Sequence, residues 1–346
     1  MRAFHHPDQS KHDPRFFLQR GAVRPNFEVP GRAASLLAGL ERAGLRPEVA
    51  PLPDAEALAA VHARDYLEFL ATAARDWAAL PGDAAGPEVV ANIHPSPEML
   101  AQGAKPGGGV IGRAGWFTAD AACPIGPGTW DACLSAAGAA LAAAEEAAKG
   151  GTAYALCRPP GHHAYAARAG GHCYVNNAAL AVRALRRAGA ARVAVIDIDS
   201  HHGNGTQGIF WEDGDVLTVS VHADPSRYYP WYVGHAGERG AGAGEGRNLN
   251  LPLPFGSGDG PWLEAIGQGV EAARRFGAEA LVVPLGFDAS EDEPLAALAV
   301  TAGGFARAGA ALAAMRLPTA ITQEGGYNVE LLGDLLARFL QGWGDA

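Results

Sequence analysis

No run of Lys or Arg, no CxxC pair and no uninterrupted apolar stretch of membrane-spanning length occurs in this chain. Phosphate binding needs clustered cations, so the missing basic run and a formal net charge of -10 argue against a nucleic-acid partner. The four cysteines, Cys123, Cys133, Cys157 and Cys173, lack the spacing of a zinc finger or a disulfide framework. Four reduced thiols suit a cytoplasmic location. The N-terminal MRAFHHPDQSKHDPRFF has no apolar core of signal-peptide length, and a membrane span needs ~18 apolar residues in a row, so no membrane partner is expected. Charged residues are only 18% of the 346 and hydrophobic ones 48%, a balance foreign to disordered chains. It leaves ample core for folding.

What is present is an alternation. From about Thr152 onward, short β-branched runs alternate with amphipathic helical stretches, the pattern of an α/β fold whose parallel sheet is sandwiched by helices. Strands are expected at 192–198, 216–221, 280–285 and 319–322, and helices at 131–149, 176–189, 262–277 and 304–315. No linker or composition shift divides the chain, so residues 1–346 are read as a single domain. The segment 80–115 is rich in Gly and Pro, lacks clear periodicity and reads as a long loop insertion.

Four segments carry chemistry. In VIDIDSHHGNGTQ, Val195 to Gln207, an apolar strand runs into Asp197, Asp199 and His201, which a period of two would place on one face. A carboxylate and an imidazole two residues apart at the end of a parallel strand can share a divalent metal such as zinc, with one position left open for water. Three ionisable groups in an apolar strand would otherwise be costly. In LCRPPGHHA, His162 and His163 follow a rigid Pro-Pro-Gly turn, and adjacent histidines on extended backbone face different ways, which suits two distinct proton-handling roles. PLGFDASEDEP places Asp288 just past another strand end as the natural third metal ligand, while Glu291, Asp292 and Glu293 read as an N-cap or a solvated acidic loop. In QEGGYN, two glycines present Tyr327, whose phenol beside a metal can donate to a developing oxyanion.

Together these segments resemble the zinc-dependent histone deacetylase superfamily, with its arginase-deacetylase α/β fold and active site at the C-terminal strand ends. FEVPGRAASLL near Phe27, VHARDYLEFL near Val61, IGPGTWDA near Ile125 and GGHCYVNNAA near Gly170 look most like the bacterial acetylpolyamine amidohydrolases. The resemblance implies one Zn2+ per chain on Asp199, His201 and Asp288. It also implies His163 as general base, His162 tuning the electrostatics, Tyr327 polarising the carbonyl, Asp197 orienting His162, and Asn204 partnering His163. Structural K+ is implied at Asp197, Asp199, His201, Ser220 and Val221, with a second ion at Phe210, Asp213 and Val216. Gly171, His172, Tyr229 and Leu295 are expected to line the substrate channel, with His172 making it more polar than is usual in the family. The acidic residue that the polyamine branch carries near the channel aligns with Ala122 here, and Asp120 is the nearby candidate to replace it. The implied activity is removal of acetyl groups from small acetylated amines, acetylpolyamines first, by a homodimer joined through the 80–115 loop. Deacetylation of acetyl-lysine in proteins or peptides is the alternative within the same chemistry. A non-catalytic acetyl-ligand binding protein and a two-metal ureohydrolase are the alternatives outside it; the presence of Tyr327 counts against the first, and the lack of a bridging carboxylate set against the second.

Overall fold

The computed structural model describes residues 1–82, 85–295 and 297–346; Asp83 and Ala84, within the expected 80–115 loop, lie outside the described residues. The strands are β1 (Arg2–His5), β2 (Phe16–Gln19), β3 (Ala22–Pro25), β4 (Glu48–Val49), β5 (Thr152–Ala155), β6 (Val193–Asp197), β7 (Val216–Ala223), β8 (Asn248–Leu253), β9 (Ala280–Leu285) and β10 (Thr319–Gln323). β2 and β3 form an antiparallel hairpin, and the other eight make one sheet in the order β4-β1-β5-β10-β9-β6-β7-β8. Every neighbouring pair in that sheet is parallel. The four expected strands are all present, with ends shifted by up to two residues.

An all-parallel sheet must bury both faces, and side-chain alternation divides its residues between two cores. Val193 and Val195 of β6 join one hydrophobic cluster with Ala280 and Val282 of β9. Ala194 and Ile196 join the other, with Leu281, Val283 and Leu285. The first cluster is covered mainly by the helices Arg64–Ala78, Thr129–Ala147 and Asn177–Arg187. The second is covered by Gly31–Arg42, Asp259–Phe276, Ala302–Ala313 and Leu332–Gly344. Thr129–Ala147 is alanine-rich because it is packed almost all round, from Ala132 through Ala144, and larger side chains would hold it off the sheet.

The 80–115 segment is less irregular than expected. It contains the helix Pro97–Ala101, capped by the Ser96 hydroxyl on the Met99 amide, and the start of the helix Val110–Phe117. Val89 also pairs with Ile125 in a β-bridge. Short capped helices give too few turns for a periodic signal.

Strand order decides where the site lies. From β6 the chain steps outward to β7 and β8, then returns to place β9 on the other side of β6. The crevice beyond the C-terminal ends of β6 and β9 is thus a topological switch point, where open α/β sheets bind ligands.

Candidate metal centre and channel

The segments that follow β5, β10, β9 and β6, four adjacent strands, meet in this crevice. Asp197 is the last residue of β6, so Asp199 and His201 lie in the turn beyond it rather than on the pleat that a period of two implies. Backbone amides, not pleating, aim these side chains. Asp199 Oδ1 accepts from the His201 amide (2.8 Å) and Oδ2 from the Gly325 amide (2.8 Å). Asp288 Oδ1 accepts from the Ser200 amide (2.8 Å). His201 Nδ1 then stands 2.9 Å from Asp288 Oδ2 and 3.2 Å from Asp199 Oδ1, and its ring stacks on Tyr228 at 4.4 Å between centroids. One ligand atom from each of Asp199, His201 and Asp288 falls within 4.8 Å of the other two.

The crowding around this triad explains two glycines. A Cβ on Gly286 would lie 2.0 Å from Asp199 Oδ2, and one on Gly325 would lie 2.3 Å from Asp288 Oδ2 and 2.6 Å from Asp199 Oδ2. Both carboxylates are fully buried, and neither has an Arg or Lys within ion-pair distance among the described residues. Two buried carboxylates facing one imidazole call for a cation, and the mixed oxygen and nitrogen donor set suits a divalent metal with an open position.

The two histidines after β5 are held differently. His162 Nδ1 lies 2.9 Å from Asp197 Oδ2, and His163 Nδ1 lies 2.6 Å from Asn204 Oδ1. Burial opposes the charge on His162, but Asp199 and Asp197 outweigh it and push the imidazole up to about 10. His163 is driven well below its ordinary value by burial and by the cationic His162, with only a neutral amide as partner. One ring keeps a proton while its neighbour, 4.0 Å away between centroids, stays free to accept one.

Tyr327 lines the same cavity, and burial, followed by the opposing effect of Arg32 and the push of Asp288 and Asp199, leaves its phenol well above the usual range. It remains a hydrogen-bond donor. Its backbone is fixed by Glu293, which corrects the solvated-loop reading of that residue. Glu293 is only 6% exposed, and its carboxylate accepts from the amides of Tyr327 (2.9 Å) and Asn328 (3.0 Å). Burial pushes it up to about 7. Glu291 and Asp292 are exposed, as expected.

Three further supports were not read from the sequence. The Glu324 carboxylate accepts from the Gly161 and His162 amides (2.7 and 3.0 Å), joining the histidine turn to the tyrosine loop. Arg32, fully buried, donates to the carbonyls of Glu324 and Gly326 (2.5 and 2.6 Å) with its guanidinium over the Tyr327 ring. Glu28 sits between Arg32 and Arg158 as a buried counter-charge. The signal for Glu324 lay inside QEGGYN itself; Arg32 sits in a helical stretch whose pattern gives no hint of its direction.

A channel with a volume of about 190 Å³ leads to His163 and His201, with Gly171, His172, Tyr229, Leu295 and Tyr327 in its walls. Phe17, from the β2–β3 hairpin, packs on His172 at 5.4 Å between centroids. Burial takes His172 down to about 4, so it is a neutral wall. Ala122 and Asp120 both line the channel; Asp120 accepts from the Tyr229 hydroxyl (2.6 Å), the Ala122 amide (2.8 Å) and the Gly171 amide (3.1 Å). Ser220 pairs in register with Asp197; Phe210 and Asp213 share a turn closed by Asp213 N to Phe210 O (3.0 Å), and Val216, the first residue of β7, donates its amide to Asp213 O (3.5 Å).

Residues 26–343 match the histone deacetylase domain family. The acetylpolyamine amidohydrolase of Burkholderia pseudomallei is 46% identical over 352 residues, covering 99% of this chain and 99% of the relative. Acetylpolyamine amidohydrolase 1 of Pseudomonas aeruginosa is 38% identical, again with 99% of each chain covered. The crystal structure of acetylpolyamine aminohydrolase from Burkholderia pseudomallei superposes with a TM-score of 0.94 at 46% identity, covering 99% of this chain and 98% of that one. Site geometry, fold and sequence agree, and the chain belongs to the histone deacetylase family as a deacetylase, a hydrolase that removes acetyl groups from amines.

Proposed function

We propose that this protein is a zinc deacetylase of small acetylated amines, acetylpolyamines among them, with one Zn2+ per chain held by Asp199, His201 and Asp288. The convergence of those three ligand groups at the base of a narrow channel carries the reading. Zinc bound there would polarise the amide carbonyl and make water more acidic. The rest is the work of this chain's side chains. His163, kept neutral, takes the proton of the attacking water as the new C–O bond forms, then returns it to the amine as the C–N bond breaks. His162, held protonated beside Asp197, supplies positive charge next to the reacting centre. Tyr327 donates its hydroxyl to the carbonyl oxygen as negative charge develops there, and Asn204 fixes the His163 ring.

Small substrates are favoured by the modest channel volume of about 190 Å³. The relatives from Burkholderia pseudomallei and Pseudomonas aeruginosa, named as acetylpolyamine amidohydrolases, support the polyamine class. We further assign structural K+ to Asp197, Asp199, His201, Ser220 and Val221, and a second ion to the carbonyl turn at Phe210, Asp213 and Val216. A homodimer through residues 80–115 is supported by exposed apolar side chains there, Ile93 (56%), Met99 (45%), Leu100 (48%) and Ile111 (49%). No helix among the described residues is long and apolar enough to cross a membrane. Four free buried thiols support a reducing, cytoplasmic location.

The test is metal analysis and turnover on the same preparation. One zinc per chain and faster hydrolysis of N-acetylputrescine than of an acetyl-lysine peptide are expected. A zinc-loaded protein that hydrolyses only the peptide would replace the polyamine reading with the protein-deacetylase one. Light scattering tests the dimer, which a monomer at micromolar concentration would exclude.

A further inference from the structure

Two exposed arginines contribute to the channel wall. Arg20 and Arg227 line the cavity that leads to His163 and His201, and among the described residues neither forms an ion pair. Asp120 is the one carboxylate on the channel wall among the described residues, and its oxygens are taken up by the Tyr229 hydroxyl and the Gly171 and Ala122 amides. Asp224, three residues before Arg227, feels the Arg227 charge but forms no ion pair with it, and its carboxylate accepts from the Ser226 amide (2.9 Å). With two guanidiniums and one carboxylate among its described lining residues, the channel wall carries a net positive charge, although the whole chain is acidic.

The two arginines are placed by different local features. The Arg227 guanidinium lies 4.9 Å from the centre of the Phe255 ring, which restricts where it can swing. Arg20 is the first of two residues connecting β2 to β3, where Gln19 pairs with Ala22. Arg20 has a φ of 51° and Gly21 a φ of 75°, the left-handed pair of a type I′ turn. Asn, Asp or Gly is preferred at that first position, and Arg20 occupies it here.

We propose that this channel also takes acetylated ω-amino acids, acetylated amines whose far end is a carboxylate, and that Arg20 and Arg227 recognise that carboxylate through charge-assisted hydrogen bonds. The inference rests on the deacetylase reading of the site and deepens it, since the chemistry at the amide is unchanged. Water adds to the acetyl carbon, the C–N bond breaks, and acetate and the free amino acid leave without any redox step. A guanidinium fork matches a carboxylate in plane and in charge, whereas a distal ammonium at the same place would meet like charge.

The test compares 5-acetamidopentanoate with N-acetylputrescine, which share the acetylated nitrogen and a four-carbon spacer and differ in the sign of the terminal charge. The zinc-loaded enzyme should hydrolyse both. In the Arg20→Gln/Arg227→Gln double variant, the ratio of kcat/KM for the acid to that for the amine should fall at least tenfold, mainly through a higher KM for the acid. Added salt should lower the same ratio in the unaltered enzyme, because charges at an open channel are screened. Failure to hydrolyse 5-acetamidopentanoate while N-acetylputrescine is turned over would overturn the proposal and leave the deacetylase reading standing. An unchanged ratio in the double variant would overturn the assignment of the two arginines. If zinc-loaded protein hydrolyses neither of these nor uncharged N-acetylbutylamine, the deacetylase reading itself falls and takes this proposal with it.

Discussion

Replacing Glu293 should separate the positioning of Tyr327 from its chemistry. The carboxylate contacts no ligand of the proposed metal; it accepts from two backbone amides, those of Tyr327 at 2.9 Å and Asn328 at 3.0 Å. Glu293→Ala strips the acceptor from both. A buried donor left unpaired costs about 1–3 kcal/mol, so two amount to roughly 2–6 kcal/mol if the loop stays where it is. The loop will instead move toward water and carry the Tyr327 hydroxyl with it. Full loss of one oxyanion donor lowers kcat by about 100- to 1000-fold, and a donor displaced only part of the time loses less, about 10- to 100-fold. KM should change by less than about threefold, because the hydroxyl matters most once charge has developed on the oxygen. Glu293→Gln keeps a carbonyl oxygen with two lone pairs for the same amides and should stay within about threefold of the unaltered enzyme. Steady-state kinetics on N-acetylputrescine, with zinc content and thermal melting measured on the same samples, make the comparison. A folded, zinc-loaded Ala variant with unaltered kcat, or a Gln variant as damaged as the Ala variant, would refute the reasoning.

Three other outcomes are expected. Asp288→Ala should abolish activity and release the zinc while the fold persists, since two remaining ligands hold the ion poorly; metal analysis showing one tightly bound zinc would remove Asp288 from the ligand set. Tyr327→Phe should lower kcat about 100- to 1000-fold with little change in KM, and a loss under about tenfold would make it a packing residue. The acid limb of the pH profile of kcat/KM should lie below pH 6.5, because burial and the cationic His162 depress His163 and a general base works only when deprotonated, so activity holds as pH falls until His163 takes up its proton. In Asn204→Asp, a carboxylate facing His163 should move that limb upward, and an unmoved limb would show that another group is being titrated.

The centre of this fold was readable from the chain because its strands are long enough to show their character. RVAVIDI and ALVVPL are largely apolar runs, as strands buried on both faces must be, and each is followed within three residues by a carboxylate assigned to the site, Asp199 and Asp288. β1 and β4 were not readable: RAFH and EV are too short and too polar, and they join the sheet through pairing with β5 and with each other. The metal and proton-handling groups stood out as ionisable residues where apolar ones belong. Glu293 did not, since an acidic residue in SEDEP has the composition of a solvated loop, and only burial against the Tyr327 backbone reveals its use. Arg32 was hidden for the same reason, as an arginine on an amphipathic helix is ordinary until its partners, Glu28 and the Gly326 carbonyl, are seen. The groups proposed to touch the reacting atoms were legible, and those that hold them in place over long sequence separations were not.

The place of β10 in the sheet has a consequence for how the protein is made. β10 follows the other strands described here in the sequence, yet it is inserted between β5 and β9, in the middle of the sheet rather than at its rim. Until residues 319–323 emerge, a nascent chain holds two half-sheets, each with a long hydrophobic edge open to other chains. The Gly325 amide that fixes Asp199 arrives just after that strand, so the proposed metal site is complete only once residue 325 has been made. Chains cut short before residue 319 should therefore collect in inclusion bodies rather than persist as metal-free deacetylase, and the cell's quality control gains a simple criterion for discarding them.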